Sequence, residues 1–189
     1  MKIGKWKTLE SRYLIRRPWL TARVDRVALP NGVVHPEYYV LEYPSWVNVI
    51  AITAEGWFVM VEQYRHGLGD VFTEIVAGVV EDGEEPLHAA KRELMEETGY
   101  GKGEWRLFSV LSANPGSMNN LSYTFLATNV EPVSGQHLDE TEDIAVRLLS
   151  PTEVKTMLLD DGMKQSLMAA PLWKYFALNA KQGGEMLQM

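Results

Sequence analysis

Residues 78–100, GVVEDGEEPLHAAKRELMEETGY, decide how the rest of the chain is read. The opening, from Gly78 to Gly83, has the composition of a turn, two apolar residues followed by Glu81-Asp82-Gly83. Pro86 suits a first helical position, because the N–H it lacks is one that a helix start leaves unpaired anyway. Leu87, Ala90, Leu94 and Thr98 then recur along one face at helical spacing. Gly99 supplies a stop that tolerates a left-handed backbone. The stretch therefore predicts a turn, a helix and a second turn.

The acids of that helix depart from an ordinary amphipathic pattern. Glu93, Glu96 and Glu97 stand at i, i+3 and i+4, so their carboxylates share one flank beside the apolar stripe. Like charges at these spacings cost a helix about 0.2–0.5 kcal/mol per pair, and a solvated face does not require them to cluster. A hard divalent cation would reverse the sign of that cost, since Mg²⁺ and Ca²⁺ select oxygen ligands. Arg92, one turn before Glu96, is placed to hold a carboxylate in a fixed orientation. The competing reading is a charged outer face on which Arg92 and Glu96 form a surface pair.

The full pattern favours the cation. Written G-x5-E-x7-R-E-U-x-E-E-x-G-U, with U aliphatic, it is filled in register by Gly78, Glu84, Arg92, Glu93, Leu94, Glu96, Glu97 and Gly99. This resembles the signature of the Nudix hydrolases, which cleave a nucleoside diphosphate linked to another group. Tyr100 stands where the signature prefers an aliphatic residue, at a position that packs rather than reacts. The resemblance implies an α/β/α sandwich with a mixed sheet over about residues 45–180, with the signature as a loop–helix–loop beside the sheet. It also implies Glu93 and Glu97 as metal ligands together with the backbone carbonyl of Ala77. Glu96 lies close to them and joins Arg92 in the catalytic set. Gly78, Glu84 and Gly99 are structural, Glu84 by pairing with Arg92. The expected cofactor is Mg²⁺, with Mn²⁺ as the alternative.

Composition agrees with such an enzyme. The 189 residues are enough for one domain with a sizeable core and a small accessory piece. Eighteen Lys and Arg against 25 Asp and Glu give a net charge of −7. That balance disfavours general nucleic-acid binding and would repel a polyphosphate unless metal ions or a local basic patch intervened. The absence of cysteine excludes disulfides, thiolate-bound zinc and thiol nucleophiles. No run approaches the ~18 apolar residues of a membrane span, and the N-terminus has no apolar signal region, so the cytoplasm is the expected location.

In chain order, residues 1–20 are basic and aromatic, with Trp6, Tyr13 and Trp19 among Lys and Arg. Strands are predicted at 21–29 and 38–43, joined by a Pro30-Asn31-Gly32 turn. This small antiparallel β domain, residues 1–44, has few aliphatic residues and needs another surface, the main body or a second subunit. A homodimer is the expectation. The main domain, residues 45–189, is predicted to carry strands at 46–53, 57–64, 71–77, 105–113, 121–130 and 144–149. Ser150-Pro151-Thr152-Glu153 reads as a capping box opening a short helix that stops near Gly162. A last helix covers about 166–180, bent or begun at Pro171.

Pyrophosphate hydrolysis needs charge neutralisation and an activated water, so a further acid is sought outside the signature. Residues 137–143, HLDETED, are the other dense acidic run, ahead of a strand. They resemble an E-x-E-D-I stretch of the ADP-ribose pyrophosphatases, which implies Glu140 as general base and Glu142 as a further metal ligand. Against this stands a plain acidic loop. Pro115 lies sixteen residues beyond Gly99, within Ser112-Ala113-Asn114-Pro115-Gly116-Ser117, and resembles the proline loop of the same branch. There the usual Ser is here Asn114 and the usual downstream Glu is missing, which loosens the assignment to ADP-ribose. Pro115 and Gly116 are substrate-binding candidates, a plain turn being the alternative. Glu62-Gln63-Tyr64-Arg65 also matches that branch, where the Arg faces phosphates, a role suited to its planar fork, a surface residue at a strand end being the alternative. Trp19 is a candidate to stack on a nucleobase, or a packing residue.

Some features are lures. Gly99-Tyr100-Gly101-Lys102-Gly103 follows the negative end of a helix and lacks the lysine-serine or lysine-threonine step of a P-loop. His35, His66, His88 and His137 have no metal-binding spacing. The expected function is Mg²⁺-dependent hydrolysis of a nucleotide sugar, ADP-ribose to AMP and ribose 5-phosphate. The alternatives are GDP-mannose or another nucleotide sugar, a nucleoside triphosphate, or a Nudix-like domain that binds a nucleotide sugar without cutting it.

Overall fold

The computed structural model describes residues 3–182, with side chains through residue 180. It divides into two compact units, Met1–Pro44 with Ser112–Leu121, and Ser45–Leu111 with Ser122–Met189. Among the described residues no helix is long and apolar enough to cross a membrane.

The first unit is a three-stranded antiparallel sheet in the order β1 (Lys7–Arg17), β2 (Leu20–Ala28), β3 (Val34–Glu42). The first strand mixes charged residues with Leu9, Tyr13, Leu14 and Ile15 and buries none of them, yet it pairs with β2 along its whole length. The turn between β2 and β3 forms where Pro30-Asn31-Gly32 predicts it. Gly32 takes φ +85°, its N–H donates to Leu29 O at 3.0 Å, and Asn31 Oδ1 accepts from Val33 N–H. The segment 112–121 is stitched to β3. Leu41 N–H donates to Ser117 O at 2.7 Å, Tyr38 Oη donates to Gly116 O, and Asn120 Nδ2 donates to Pro44 O at 2.9 Å.

The second unit is a mixed sheet in the order β10-β5-β6-β4-β9-β7, with β8 also on β9. Its strands are β4 (Trp46–Thr53), β5 (Phe58–Arg65), β6 (Asp70–Val79), β7 (Tyr100–Gly101), β8 (Glu104–Leu111), β9 (Ser122–Pro132) and β10 (Ile144–Leu149). Only β4 and β9 run parallel; the other pairs are antiparallel. Successive side chains of a strand point to opposite faces, and here both faces are apolar. Val47, Val49, Val59, Val61 and Val76 pack with Ala89, Ala90 and Leu94 of α1 (Pro86–Thr98). Ile50, Phe58, Met60 and Ile75 pack with α2 (Pro151–Leu159) and α3 (Ser166–Gln182) through Val154, Leu158, Met168 and Leu172. The helices on both faces are those of the expected α/β/α sandwich.

The capping box forms as read. Ser150 Oγ accepts from Glu153 N–H, and Glu153 Oε2 accepts from Ser150 N–H at 2.7 Å. Pro171 neither begins nor ends α3; it lies inside it. A proline there has no N–H for the carbonyl four residues earlier, which is Leu167 O. The amide of Asn48, a buried residue of the central strand, supplies that donor. Its Nδ2 reaches Leu167 O at 3.2 Å and Ser122 Oγ at 2.7 Å.

This substitution of donors is testable by denaturant unfolding. Asn48→Ala is expected to cost about 1–3 kcal/mol, the range for leaving a buried polar group unpaired. The loss should be smaller in a Pro171→Ala background, where the helix can supply its own N–H. Equal losses in the two backgrounds would contradict the coupling.

Candidate active site

The signature folds around one guanidinium. Arg92 lies in the middle of α1, whose start is set by Pro86 in its first turn and whose end is Gly99 at φ 73°. From there Arg92 Nε and Nη2 grip both oxygens of Glu84 at 3.1 and 3.0 Å. Nη2 also donates to Val79 O at 3.0 Å, while Nη1 donates to Glu93 at 2.8 Å and Glu96 at 3.1 Å. Glu84 in turn accepts from Glu81 N–H. The Arg92 fork holds the Glu84 carboxyl below its ordinary range, and Glu84 raises Arg92. The loop after β6 is thus tied to the helix by a bidentate charged pair, the strong form of that interaction.

The two expected ligands sit where a negative charge is least comfortable. Burial pushes the Glu93 carboxyl up against the pull of Arg92, with Glu96 and Glu142 adding to the rise. Glu97, 4% exposed, is pushed up to about 8, first by burial and then by Glu93 and Glu142, while a hydrogen bond from the Ala77 backbone and the charge of Arg65 act the other way. Its Oε2 is buried without a hydrogen-bond partner. Gly78 makes the approach of Glu93 possible: a Cβ there would lie 1.9 Å from Glu93 Cδ. Among the described residues no three carboxylate or imidazole groups converge on one point as they stand; Arg92 draws Glu93 and Glu96 to itself. Even so the residues fit a divalent cation. An orphaned buried oxygen, a second, partly buried carboxylate admitted by a glycine, and hard oxygen donors throughout are the chemistry such an ion selects.

The acidic run is anchored to the end of α1. Gly99 O accepts from Val133 and Ser134 N–H, and a Cβ on Gly99 would lie 2.3 Å from Ser134 O. Gly99 therefore ends the helix and also admits the chain leaving β9. His137 N–H donates to Glu96 O at 2.8 Å, and Gln136 Nε2 donates to both Glu97 O and Ile144 O. The turn beyond carries Glu142, whose Oε2 accepts from Asp139 N–H at 3.0 Å and whose charge is felt by Glu93 and Glu97. Glu140 stands exposed on the same turn.

Arg65 ends β5 and is held by Glu74 of β6 through Nε at 3.0 Å and Nη2. A cavity of about 340 Å³ opens here, its lining including Trp46, Asn48, Arg65, Gly78 and Gln165. Trp19, Pro115 and Gly116 belong to the first unit. Trp19 is 73% exposed at the β1–β2 turn. Pro115 and Gly116 form a turn in which Asn114 Oδ1 accepts from Gly116 N–H, as a short amide side chain does in such turns. Glu74 and Gln136 join the site through contacts of the fold that the sequence expectation does not include. A lone acid within the apolar run VFTEIVAGV was a usable signal for Glu74; nothing in the pattern marked Gln136.

The burial of Glu97 generates a pH dependence whose sign follows from linkage. Its carboxyl rises from an ordinary 4.5 to about 8 on folding, so the folded protein holds a proton that the unfolded chain has released. The corresponding stability is fully present below pH 4.5 and lost as pH rises through about 8. Thermal unfolding without divalent ions is expected to show that decline, and Glu97→Gln to flatten it. An equal decline in both proteins would exclude this origin.

Comparison with known proteins supports the same identification. Residues 6–41 match the model of the nucleoside diphosphate sugar hydrolase N-terminal domain, and residues 43–169 match that of the NUDIX domain. An ADP-ribose pyrophosphatase of Bacillus subtilis is 33% identical over 165 residues, 87% of this chain and 84% of that protein. A methanol dehydrogenase activator of Bacillus methanolicus is 35% identical over 146 residues, covering 76% and 78%. The crystal structure of an ADP compounds hydrolase superposes with a TM-score of 0.83 over 97% of this chain and 98% of that one; at 21% identity this likeness shows the fold. Nudix hydrolases generally use divalent metal ions. The chain belongs to the Nudix hydrolase family and is a pyrophosphohydrolase akin to the ADP-ribose pyrophosphatases.

Proposed function

We propose that this protein hydrolyses ADP-ribose to AMP and ribose 5-phosphate and uses Mg²⁺ to do so. The observation that carries the reading is the unpartnered buried oxygen of Glu97 beside Glu93, with Glu142 and Arg65 close enough to shift it. Two neighbouring acids kept there at a cost in burial are explained by a cation that receives a pyrophosphate. Glu93, Glu97, Glu142 and the Ala77 carbonyl are the proposed ligands. A divalent ion held by them would neutralise the pyrophosphate oxygens and promote ionisation of the attacking water.

The chain's own residues do the rest. Glu140 takes a proton from the water as its oxygen bonds to one phosphorus. The bond from that phosphorus to the bridging oxygen breaks, and the other phosphate leaves with the bridging oxygen. Arg92 keeps Glu93 and Glu96 oriented, and Arg65, itself fixed by Glu74, faces the phosphates. The cavity beside Gly78 offers room for part of the substrate, Trp19 a stacking surface, and the Pro115-Gly116 turn a means of discrimination. A different nucleotide sugar, such as GDP-mannose, is the second reading. It is favoured by the lack of a glutamate from Ser117 to Asn120, where the ADP-ribose branch usually has one.

The same proposal includes a homodimer formed through the first unit. Every residue of β1 is exposed, Leu9, Tyr13, Leu14 and Ile15 among them, and Trp6 is 47% exposed. Such a run of apolar side chains is typical of an interaction surface, and a second copy would cover it. Sedimentation at micromolar concentration should give a dimer; a compact monomer would refute this part.

Phosphatase-coupled assay of a panel of nucleotide sugars and nucleoside triphosphates tests the activity. ADP-ribose should be the best substrate with Mg²⁺ present. Glu140→Gln should lower kcat by about 10²–10⁴-fold, the usual worth of a general base, with the fold intact. A panel with no turnover would leave a binding domain, and a GDP-sugar preference would select the second reading.

A further inference from the structure

We propose that Gln136 is a positioning residue for the reaction, a clamp that fixes the acidic loop 137–143 against the end of α1. This rests on the reading above, in which Glu140 and Glu142 of that loop serve the chemistry. A single nitrogen makes the connection. Nε2 of Gln136 spends its two hydrogens on Glu97 O at 2.7 Å and Ile144 O at 3.0 Å.

Both anchors are parts of the molecule that do not move independently of the site. Glu97 offers its carbonyl to the clamp and its carboxylate to the proposed cation site, so the helix end and the ligand travel together. Ile144 is buried and is the first residue of β10, paired with Gln63 of β5. The loop's entry is held separately, by His137 N–H on Glu96 O at 2.8 Å. Entry and exit are therefore both referred to the Glu96–Glu97 step of the helix. Only the turn Asp139–Glu142 projects beyond these ties, closed by its own bonds between those two residues.

The clamp has a definite chemistry. Glu97 O belongs to the last turn of α1, where carbonyls lack helical partners and the helix end is negative. What is needed there is two donors and no added negative charge. Glutamine meets this with its NH₂ group, and lysine would too, with three donors and a favourable charge. Leucine fills similar space and donates nothing. Glutamate would aim a carboxylate at two carbonyl oxygens.

Gln136→Leu, Gln136→Glu and Gln136→Lys can be compared with Glu140→Gln and Glu142→Gln, using ADP-ribose and Mg²⁺ at a temperature where circular dichroism shows each folded. Two readouts are taken: kcat and KM, and hydrogen exchange of the 137–143 amides relative to those of α1. The expected result is faster exchange confined to 137–143 in the Leu and Glu variants. Their kcat should fall about 10- to 100-fold, the scale of an ångström-level misplacement, with KM nearly unchanged. Gln136→Lys should keep kcat close to that of the parent.

Unchanged exchange in both Leu and Glu variants would overturn the clamp. So would faster exchange with undiminished kcat while Glu140→Gln is impaired, since the loop's placement would then not matter. A fall in rate that Gln136→Lys shares equally would overturn the donor argument. Failure of the parent reading looks different: Glu140→Gln and Glu142→Gln would both turn over at the parent rate, whatever Gln136 does.

Discussion

Arg92 is the constraint on which the site depends. Its guanidinium joins the loop after β6 to α1 by gripping Glu84 and the Val79 carbonyl, and with its remaining edge it holds Glu93 and Glu96. Five donors in a rigid plane can do this; the single ammonium of a lysine cannot. The arrangement separates two kinds of acid on one helix. Glu84 is a structural anion, kept ionised by its partner. Glu97, out of reach of that partner, keeps a buried oxygen without any partner at all. The first carboxylate is fully partnered and the second is not, which is the difference expected between an ion pair that holds a fold and the proposed cation site.

Glycine completes the division. Gly78 is required because Glu93 occupies the space a side chain would fill. Gly99 both takes the left-handed conformation that ends α1 and lets the backbone at Ser134 pass within contact distance. Through that contact, and through Gln136 and His137, the acidic loop is referred to the same helix end. The helix thus carries carboxylates on its flank and, at its last carbonyls, the attachment points for a second group of acids.

Much of this was legible in the sequence where local chemistry decides it. The α1 boundaries followed from Pro86 and Gly99, the spans of β4 and β10 from stretches rich in Val, Ile and Leu, and the α2 start from Ser150 and Glu153. What could not be read depends on partners distant in the chain. In β1 the apolar Leu9, Tyr13, Leu14 and Ile15 are scattered among charged residues and none is buried, and the strand forms because β2 offers it a ladder. Pro171 signals a break by itself, and the break does not occur because Asn48, far away in sequence, donates to the carbonyl it leaves unpaired. Within the site, the spacing of Glu93, Glu96 and Glu97 pointed to the cluster, but not to the difference between Glu96, spent on Arg92, and Glu97, one of whose oxygens is buried without a partner. The attachment of residues 112–121 to the first unit likewise rests on bonds from Tyr38 and Leu41.

Burial pushes the Glu97 carboxyl up to about 8, so a divalent cation at the proposed site must displace a proton from it. Calorimetric titration with Mg²⁺ or Mn²⁺ at pH 7, in two buffers of different ionisation enthalpy, measures this directly through the protons released per ion bound. Net proton release is expected in the parent protein and none attributable to this group in Glu97→Gln. Ion uptake with no proton release, or no uptake at all with nucleotide sugar present, would contradict a cation seated at Glu97.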